Sequence, residues 1–448
     1  MKALSNKDLH PANGSIIPHL LLIAAQILLL AGPRLLPGRR ALAAMTILTL
    51  AVVAQCNRFT NNPGLANLFA LAWPHWLSAL EKIVFASPGG PEADLWRVDR
   101  VAREAVAWPT LGWRKIKWAV TLLLNLRGIR WSYQVKNVPP VPGLDRMSRG
   151  RFLLWRLVEL VLVVLMADLV SQMGLRFFYT DAAGVVGALD SKYLSIRDHR
   201  LGWSFLKALT FGLGPYYFIN MQYLVVSIVA VATGISRPSV SINFQNKRDR
   251  IVKNETNQNG IGLATTFWKI ERSHHNAKLL GNILASNAAQ SVYPTPLCVN
   301  NWLIMQSLST ITGAFVDAVG VRRGTNTSSY TQLWLAFTIS GVMHALSQLL
   351  MPRPANITPS EIVIGIFLFF PCQAAMITIE DFVIWLWKKY FGMQTPRWAP
   401  VLGYLWVVCA LWFALPFAGD SMVHLKMGEV PPLPFTLAAP FVRMIPIP

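Results

Sequence analysis

Long apolar runs separated by short clusters of charged residues constrain this sequence most strongly. A typical run extends from Phe152 to Met173, close to the roughly 20 residues that an α-helix needs to cross a bilayer core. Of the 448 residues, 53% are hydrophobic and 14% are charged, against about 25% charged in typical soluble domains. The pattern excludes a disordered chain, a coiled coil and an ordinary soluble enzyme. It predicts an all-α polytopic membrane protein.

The apolar runs predict seven to nine transmembrane helices. Pro74 and His75 weaken the third run. Gly212 and Pro215 are expected to break the long run Leu201–Ile235, so that its second half forms the span. The candidate spans are Ile16–Gly32, Ala41–Gln55, Pro63–Leu80, Phe152–Met173, Tyr216–Ile235, Trp302–Val319, Thr331–Leu350, Ile362–Trp387 and Pro400–Ala418.

The same pattern divides the chain into five regions. Residues 1–80 and 152–238 carry transmembrane helices, and residues 331–448 carry the C-terminal ones. Residues 81–151 form a basic loop with an interfacial helix at Trp118–Leu126, where Trp113, Trp118 and Trp131 are expected at head-group depth. Residues 239–330 form a polar loop region.

The excess of basic residues is consistent with a membrane protein. Lys and Arg number 41 and Asp and Glu 21, which gives a net charge of +20. Lys and Arg collect in cytoplasmic loops and face anionic head groups, so we expect a lipid bilayer and no nucleic acid as the partner. The four cysteines lack metal-ligand spacing, and we expect no metal cofactor.

Polar residues form a stripe on one predicted span. Ser340, Gly341, Ser347 and Gln348 lie three or four residues from His344 and therefore share its helix face. A histidine there either packs between helices, with a hydrogen bond to a neighbour's backbone, or acts as a general base. Burial keeps the ring neutral, as a base requires. Metal ligation is less favoured, because no second His or Cys stands at ligand spacing.

Two acidic residues, Glu380 and Asp381, interrupt another predicted span. One interpretation places them at the membrane boundary, paired with Lys388 and Lys389. In the other, one of them orients a catalytic group or pairs with a basic residue within the helix bundle.

A third cluster alternates basic and aromatic residues. Arg127, Arg130 and Lys136 are interleaved with Trp131 and Tyr133. Such a segment can face lipid phosphates at the membrane surface. It can equally bind an anionic phosphorylated cofactor such as coenzyme A. The residues alone do not separate the two.

These clusters also carry a family resemblance. Residues 127–137 (RGIRWSYQVKN), 340–344 (SGVMH) and 369–381 (FFPCQAAMITIED) resemble fungal wax synthase-like membrane-bound O-acyltransferases. The greatest similarity is to acetyltransferases of terpenoid and meroterpenoid biosynthesis. The resemblance implies a multi-pass enzyme that transfers acetyl from acetyl-CoA to a hydrophobic alcohol. From the run of spans we expect it in the membrane of the endoplasmic reticulum. His344 matches the family's active-site histidine. Long-chain wax-ester synthesis, and a non-catalytic transporter or scaffold, are the alternatives.

The sequence departs from the family pattern in its polar region. Ser239–Gly262 is polar and of low complexity, and no role is assigned to His274 or His275. Because residues 239–291 lack apolar helical periodicity, we expect them to lie outside the packed membrane core.

Overall fold

The computed structural model describes residues 9–34, 37–98, 100–125, 128, 131–133, 147–233, 296–391, 399–429, 433 and 435–448. These residues form helices joined by turns and isolated bridges, without a β-strand. The helices are α1 (Ile17–Ala31), α2 (Pro37–Gln55), α3 (Pro63–Ala70), α4 (Trp73–Val84), α5 (Pro91–Asp94), α6 (Trp113–Leu124), α7 (Arg149–Phe178), α8 (Leu201–Ala232), α9 (Pro296–Ala318), α10 (Asn326–Gln348), α11 (Pro359–Phe391), α12 (Ala399–His424) and α13 (Ala439–Val442).

Three of the described helices are long and apolar enough to cross a membrane. They are α8, α11 and the Val401–His424 part of α12. The number is below the seven to nine spans that the sequence predicted. Helix α1 is apolar but has only 15 residues, short of the roughly 20 required. Helix α10 carries many Ser, Thr and Gln residues, which lower its mean hydropathy.

The third predicted span is two short helices. The side chain of Asn62 caps α3 by accepting a hydrogen bond from the amide of Leu65 at 3.0 Å. Leu71 and Ala72 separate α3 from α4, and Pro74 lies in the first turn of α4. Proline lacks an N–H and is favoured where a helix begins, so this residue starts a second helix and does not continue the first.

The prediction that Gly212 and Pro215 break the run Leu201–Ile235 was wrong. The helix runs without interruption over 32 residues and contains Pro215. A proline inside a helix costs about 3 kcal/mol. Helix α8 packs along much of α7, and that burial offsets the local cost. The two halves of α8 therefore form one continuous helix.

Helix α7 carries an ion pair and contacts the end of the chain. Arg156 and Glu159 lie three residues apart on one helix face, and their Nη1 and Oε2 atoms are 2.6 Å apart. The carboxylate of Asp168 is buried and accepts hydrogen bonds from the amides of Leu437 and Ala438, at 2.7 and 2.9 Å. Helix α7 therefore holds the C-terminal segment against the bundle.

The region predicted as a basic loop contributes to the core. Trp118 on α6 is buried, and its indole Nε1 donates to the carbonyl of Leu95 at 3.2 Å. Trp131 is buried too, whereas Trp113 is exposed. Trp118 and Trp131 are thus part of the protein core, and the head-group depth expected for the three tryptophans stays a prediction. These two join the largest hydrophobic cluster, which α1, α2, α4 and α6 form.

The polar region 239–330 is described only from residue 296. Residues 296–318 form α9, which packs against α4 and α10. Residues 239–295, including His274 and His275, lie outside the described residues, so the expectation for residues 239–291 stays a prediction.

Candidate active site

Helices α10 and α11 pack side by side, and a glycine brings them close together. A Cβ at Gly341 would lie 3.1 Å from both the carbonyl oxygen of Phe367 and the Cβ of Phe370. At the far end of the contact, the hydroxyl of Tyr330 donates to Asp381 at 3.3 Å. The pairing of residue 330 with 381 and 341 with 370 shows that the helices are antiparallel.

His344 lies in this close contact, one helical turn after Gly341. Its imidazole stacks on the ring of Phe370, with centroids 4.7 Å apart and planes 15° apart. The indole of Trp73 meets the imidazole edge to face at 5.1 Å. His344 is half-buried, and no described residue forms a hydrogen bond with its ring nitrogens. The ring is held by aromatic contacts, which leave its nitrogens available to a ligand.

The polar stripe around His344 is not uniform. The hydroxyl of Ser347 donates to the carbonyl of Met343 at 2.8 Å, so it is satisfied within its own helix. The side chain of Gln348 is mostly buried, and its Oε1 has no hydrogen-bond partner. His344 and Gln348 therefore keep unused hydrogen-bonding capacity, whereas the hydroxyl proton of Ser347 is used.

Helix α4 contributes residues that the sequence analysis missed. Trp73 is buried against His344, and Trp76 lies one turn further, with a buried Nε1 that has no hydrogen-bond partner. Nδ1 of His75 pairs with the carbonyl of Leu123 at 2.9 Å. An open depression of about 460 Å³ lies beside His75, with Gln222 of α8 on its wall. The sequence signal was the run Trp-Pro-His-Trp, interpreted only as a weakness in a span.

The acidic pair does not reach His344. Glu380 lies ten residues beyond Phe370 on α11, about 15 Å along the helix axis. Oε1 of Glu380 is buried without a hydrogen-bond partner. Nζ of Lys389 lies 4.9 Å from the ring centre of Trp385. Glu380 and Asp381 therefore lie in a polar layer of the α10–α11 contact that is separate from His344.

The three residues predicted to bind coenzyme A, Arg127, Arg130 and Lys136, lie outside the described residues. The adjoining Tyr133 is described, and its hydroxyl donates to the carbonyl of Asn125 at 2.7 Å.

The ring of Tyr133 also contacts helix α4. Nζ of Lys82 lies 4.8 Å from the ring centre of Tyr133. Burial lowers the pKa of Lys82, while the adjacent Glu81 acts in the opposite direction. Residues 131–133 are therefore anchored on the helix whose first residue contacts His344.

The described helices define a class: a helical protein with candidate membrane spans and a histidine held between aromatic rings. A family described as "Aspirochlorine biosynthesis protein F C-terminal domain" matches residues 148–232, which contain α7 and α8. Aspirochlorine biosynthesis protein F of Aspergillus oryzae is 77% identical over 238 residues, 53% of this chain and 92% of that protein. The chain belongs to the aspirochlorine biosynthesis protein F family.

More distant relatives are fungal acetyltransferases. Acetyltransferase ple2 of Rhodocybe pseudopiperita is 26% identical over 320 residues, 70% of each chain. Acetyltransferase sirH of Emericella nidulans is 25% identical over 309 residues, 68% of this chain and 59% of that protein. No solved structure matches the chain.

Proposed function

We propose that the protein is a membrane-bound O-acetyltransferase of fungal secondary metabolism. It transfers the acetyl group of acetyl-CoA to a hydroxyl of a hydrophobic biosynthetic intermediate. The observation that carries the proposal is the imidazole of His344, fixed by Phe370 and Trp73 with no hydrogen bond to a described residue. The distant relatives named as acetyltransferases support it.

The chemistry requires one base. His344 takes the proton of the acceptor hydroxyl, and the oxygen attacks the thioester carbonyl of acetyl-CoA. The new C–O bond forms as the C–S bond breaks, and the thiolate of coenzyme A leaves with the proton that His344 returns. A neutral imidazole can act in both directions, as acceptor and then as donor of the same proton.

The surroundings of His344 suit a hydrophobic acceptor. Aromatic rings cover the face and one edge of the imidazole, and they exclude water from the reacting oxygen. We propose that the acceptor approaches from the side of the bundle, past the depression that His75 and Gln222 line beside Ala72, the neighbour of Trp73 in the sequence. We propose the endoplasmic reticulum membrane as the location, so that the acceptor arrives through lipid.

The acceptor class follows from the names of the relatives and from the resemblance in the sequence. Intermediates of aspirochlorine biosynthesis are the first acceptors to test, because of the 77% identical relative. Terpenoid and meroterpenoid alcohols, indicated by the wax synthase-like motifs, are the second set.

The test is an acetyl-transfer assay on membranes that contain the full chain. Acetyl-CoA and each acceptor are supplied, and mass spectrometry detects the gain of one acetyl group while a thiol reagent measures released coenzyme A. Membranes without the protein are the control. We expect product with acetyl-CoA and much less with long-chain acyl-CoA.

A gene deletion in the native host gives an assay that does not depend on the choice of acceptor. We expect an intermediate lighter by one acetyl group to accumulate. Preference for long-chain donors would favour wax-ester synthesis. A metabolite profile unchanged by the deletion would favour a silent scaffold.

A further inference from the structure

Two arginines from distant parts of the sequence meet at one end of the bundle. Arg58 follows α2, and Arg353 follows α10. Between them lies His10, whose amide donates to the carbonyl of Arg353 at 2.9 Å. Nη2 of Arg58 donates to the carbonyls of His10 and Pro11, each at 2.7 Å. These bonds hold the two arginine residues on either side of the same short segment.

Neither guanidinium uses all of its donors. Nη1 of Arg58 and Nε of Arg353 are buried and have no hydrogen-bond partner. Both residues are half-buried. Among the described residues, no Asp or Glu forms a salt bridge with either of them. Buried donors without partners cost free energy, so such a pair is expected to have a ligand.

The two positive charges also act on each other. Burial lowers the pKa of Arg58, and the neighbouring guanidinium of Arg353 lowers it further. Burial and then the two arginines likewise lower the pKa of His10. An arginine stays protonated in proteins, so this crowding is repulsion between fixed charges, and a bound anion would relieve it.

We propose that Arg58 and Arg353 form a binding site for a phosphate group. Guanidinium groups match the oxygens of phosphate and bind them through paired charge-assisted hydrogen bonds. A surface depression of about 610 Å³ opens beside Arg58, bordered by Asn13 and Asn57, and gives the rest of the ligand room. The phosphate belongs either to a soluble nucleotide such as coenzyme A or to the head group of an anionic lipid.

The position of the site suits the first source. Arg353 lies five residues beyond the end of α10, the helix that carries His344. His344 precedes that end by four residues, about 6 Å of helix. Coenzyme A carries its phosphates at the opposite end from its thiol, so it needs a phosphate site that is separate from the base but connected to it.

The experiment measures ligand binding and not catalysis. Its result therefore tests the phosphate site whether or not the protein transfers acetyl groups. The full chain in detergent is tested for coenzyme A by equilibrium dialysis and for phosphatidic acid by native mass spectrometry after lipid exchange. The variants are Arg58→Gln, Arg353→Gln and Arg353→Lys. Arg100→Gln is the matched control, because Arg100 is exposed and its Nη1 lies 3.8 Å from Glu104. Melting temperatures establish which variants are folded.

We expect the Gln variants to raise the Kd of one probe by roughly 10- to 100-fold. Arg353→Lys should give a smaller loss, since lysine keeps the charge but not the paired donors. Of the two Gln variants, Arg353→Gln should disturb folding less, because no described residue accepts a hydrogen bond from the guanidinium of Arg353. Loss of coenzyme A binding supports a nucleotide source, and loss of phosphatidic acid alone supports a lipid source. Unchanged binding of both probes by folded Arg58→Gln and Arg353→Gln proteins would overturn the proposal.

Discussion

The helix pairs α7–α8 and α10–α11 differ in how one buried carboxylate of each pair is bonded. In α7–α8, Asp168 is buried and its Oδ2 accepts two backbone hydrogen bonds from the C-terminal segment. In α10–α11, the buried Oε1 of Glu380 has no partner, and no described residue bonds to the ring of His344. A buried carboxylate with backbone partners contributes to stability, whereas a buried polar group without a partner costs free energy. Buried atoms without a partner also occur on α8, at Oγ1 of Thr210 and Oδ1 of Asn220, so the contrast concerns the two carboxylates and His344.

The two helix pairs are expected to have different roles. The family match at residues 148–232 falls on α7–α8, the pair whose carboxylate is engaged in holding the chain together. The candidate chemistry lies outside that match, on α10. We therefore expect substitutions in the first pair to change stability and those in the second to change acetyl transfer.

The largest effect should come from His344. We expect His344→Ala and His344→Gln to lower acetyl transfer by about 10²- to 10⁴-fold, the usual contribution of a general base, with little change in melting temperature. Turnover per folded molecule is measured in membranes, and His199→Gln, in an exposed loop, is the control. Near-normal turnover in the Gln variant would show that His344 serves in packing and not as a base. The two helix pairs would then not differ in role.

Asp168 should give the opposite pattern. Asp168→Ala leaves the amides of Leu437 and Ala438 without an acceptor, which costs about 2 to 4 kcal/mol of unfolding free energy. Asp168→Asn keeps an acceptor oxygen and should lose less. Denaturation in detergent measures both. An equal loss in the two variants would show that the hydrogen bonds are not what Asp168 contributes.

Gly341 tests whether packing positions the histidine. A Cβ there meets Phe367 and Phe370 at 3.1 Å, so Gly341→Ala should destabilise by about 1 to 3 kcal/mol and also reduce acetyl transfer. The control is Gly202→Ala on α8, where a Cβ has no neighbour within 4 Å. Both are measured by melting temperature and turnover. Similar behaviour of the two alanine variants would mean that α10 and α11 adjust freely.

The smallest effect should come from the ion pair on α7. Glu159→Gln removes the partner of Arg156, and the Glu159 side chain is 30% exposed. We expect a loss below about 1 kcal/mol and unchanged turnover. A loss as large as that of Asp168→Ala would show that this pair faces an environment far less polar than its exposure indicates.

Much of the helical framework could be predicted from the sequence because its signals are local. Apolar runs predict helices, and the positions of Arg156 and Glu159 three residues apart predict their pairing. The stripe around His344 follows from helical periodicity for the same reason. The number of candidate spans was overestimated, because the length and continuity of a helix depend on what it packs against.

The helical class, the candidate base and the net charge could all be derived from the residues and their spacing. Four features could be seen only in the folded protein. They are the contact of Trp73 with His344, the hydrogen bonds of Asp168 to residues 437 and 438, the continuation of α8 through Pro215, and the proximity of Arg58 and Arg353. Each of these contacts joins segments far apart in the chain or depends on a neighbouring helix. Side-chain pattern reports the face of a helix, whereas the identity of the opposing surface is set by how all the helices share one core.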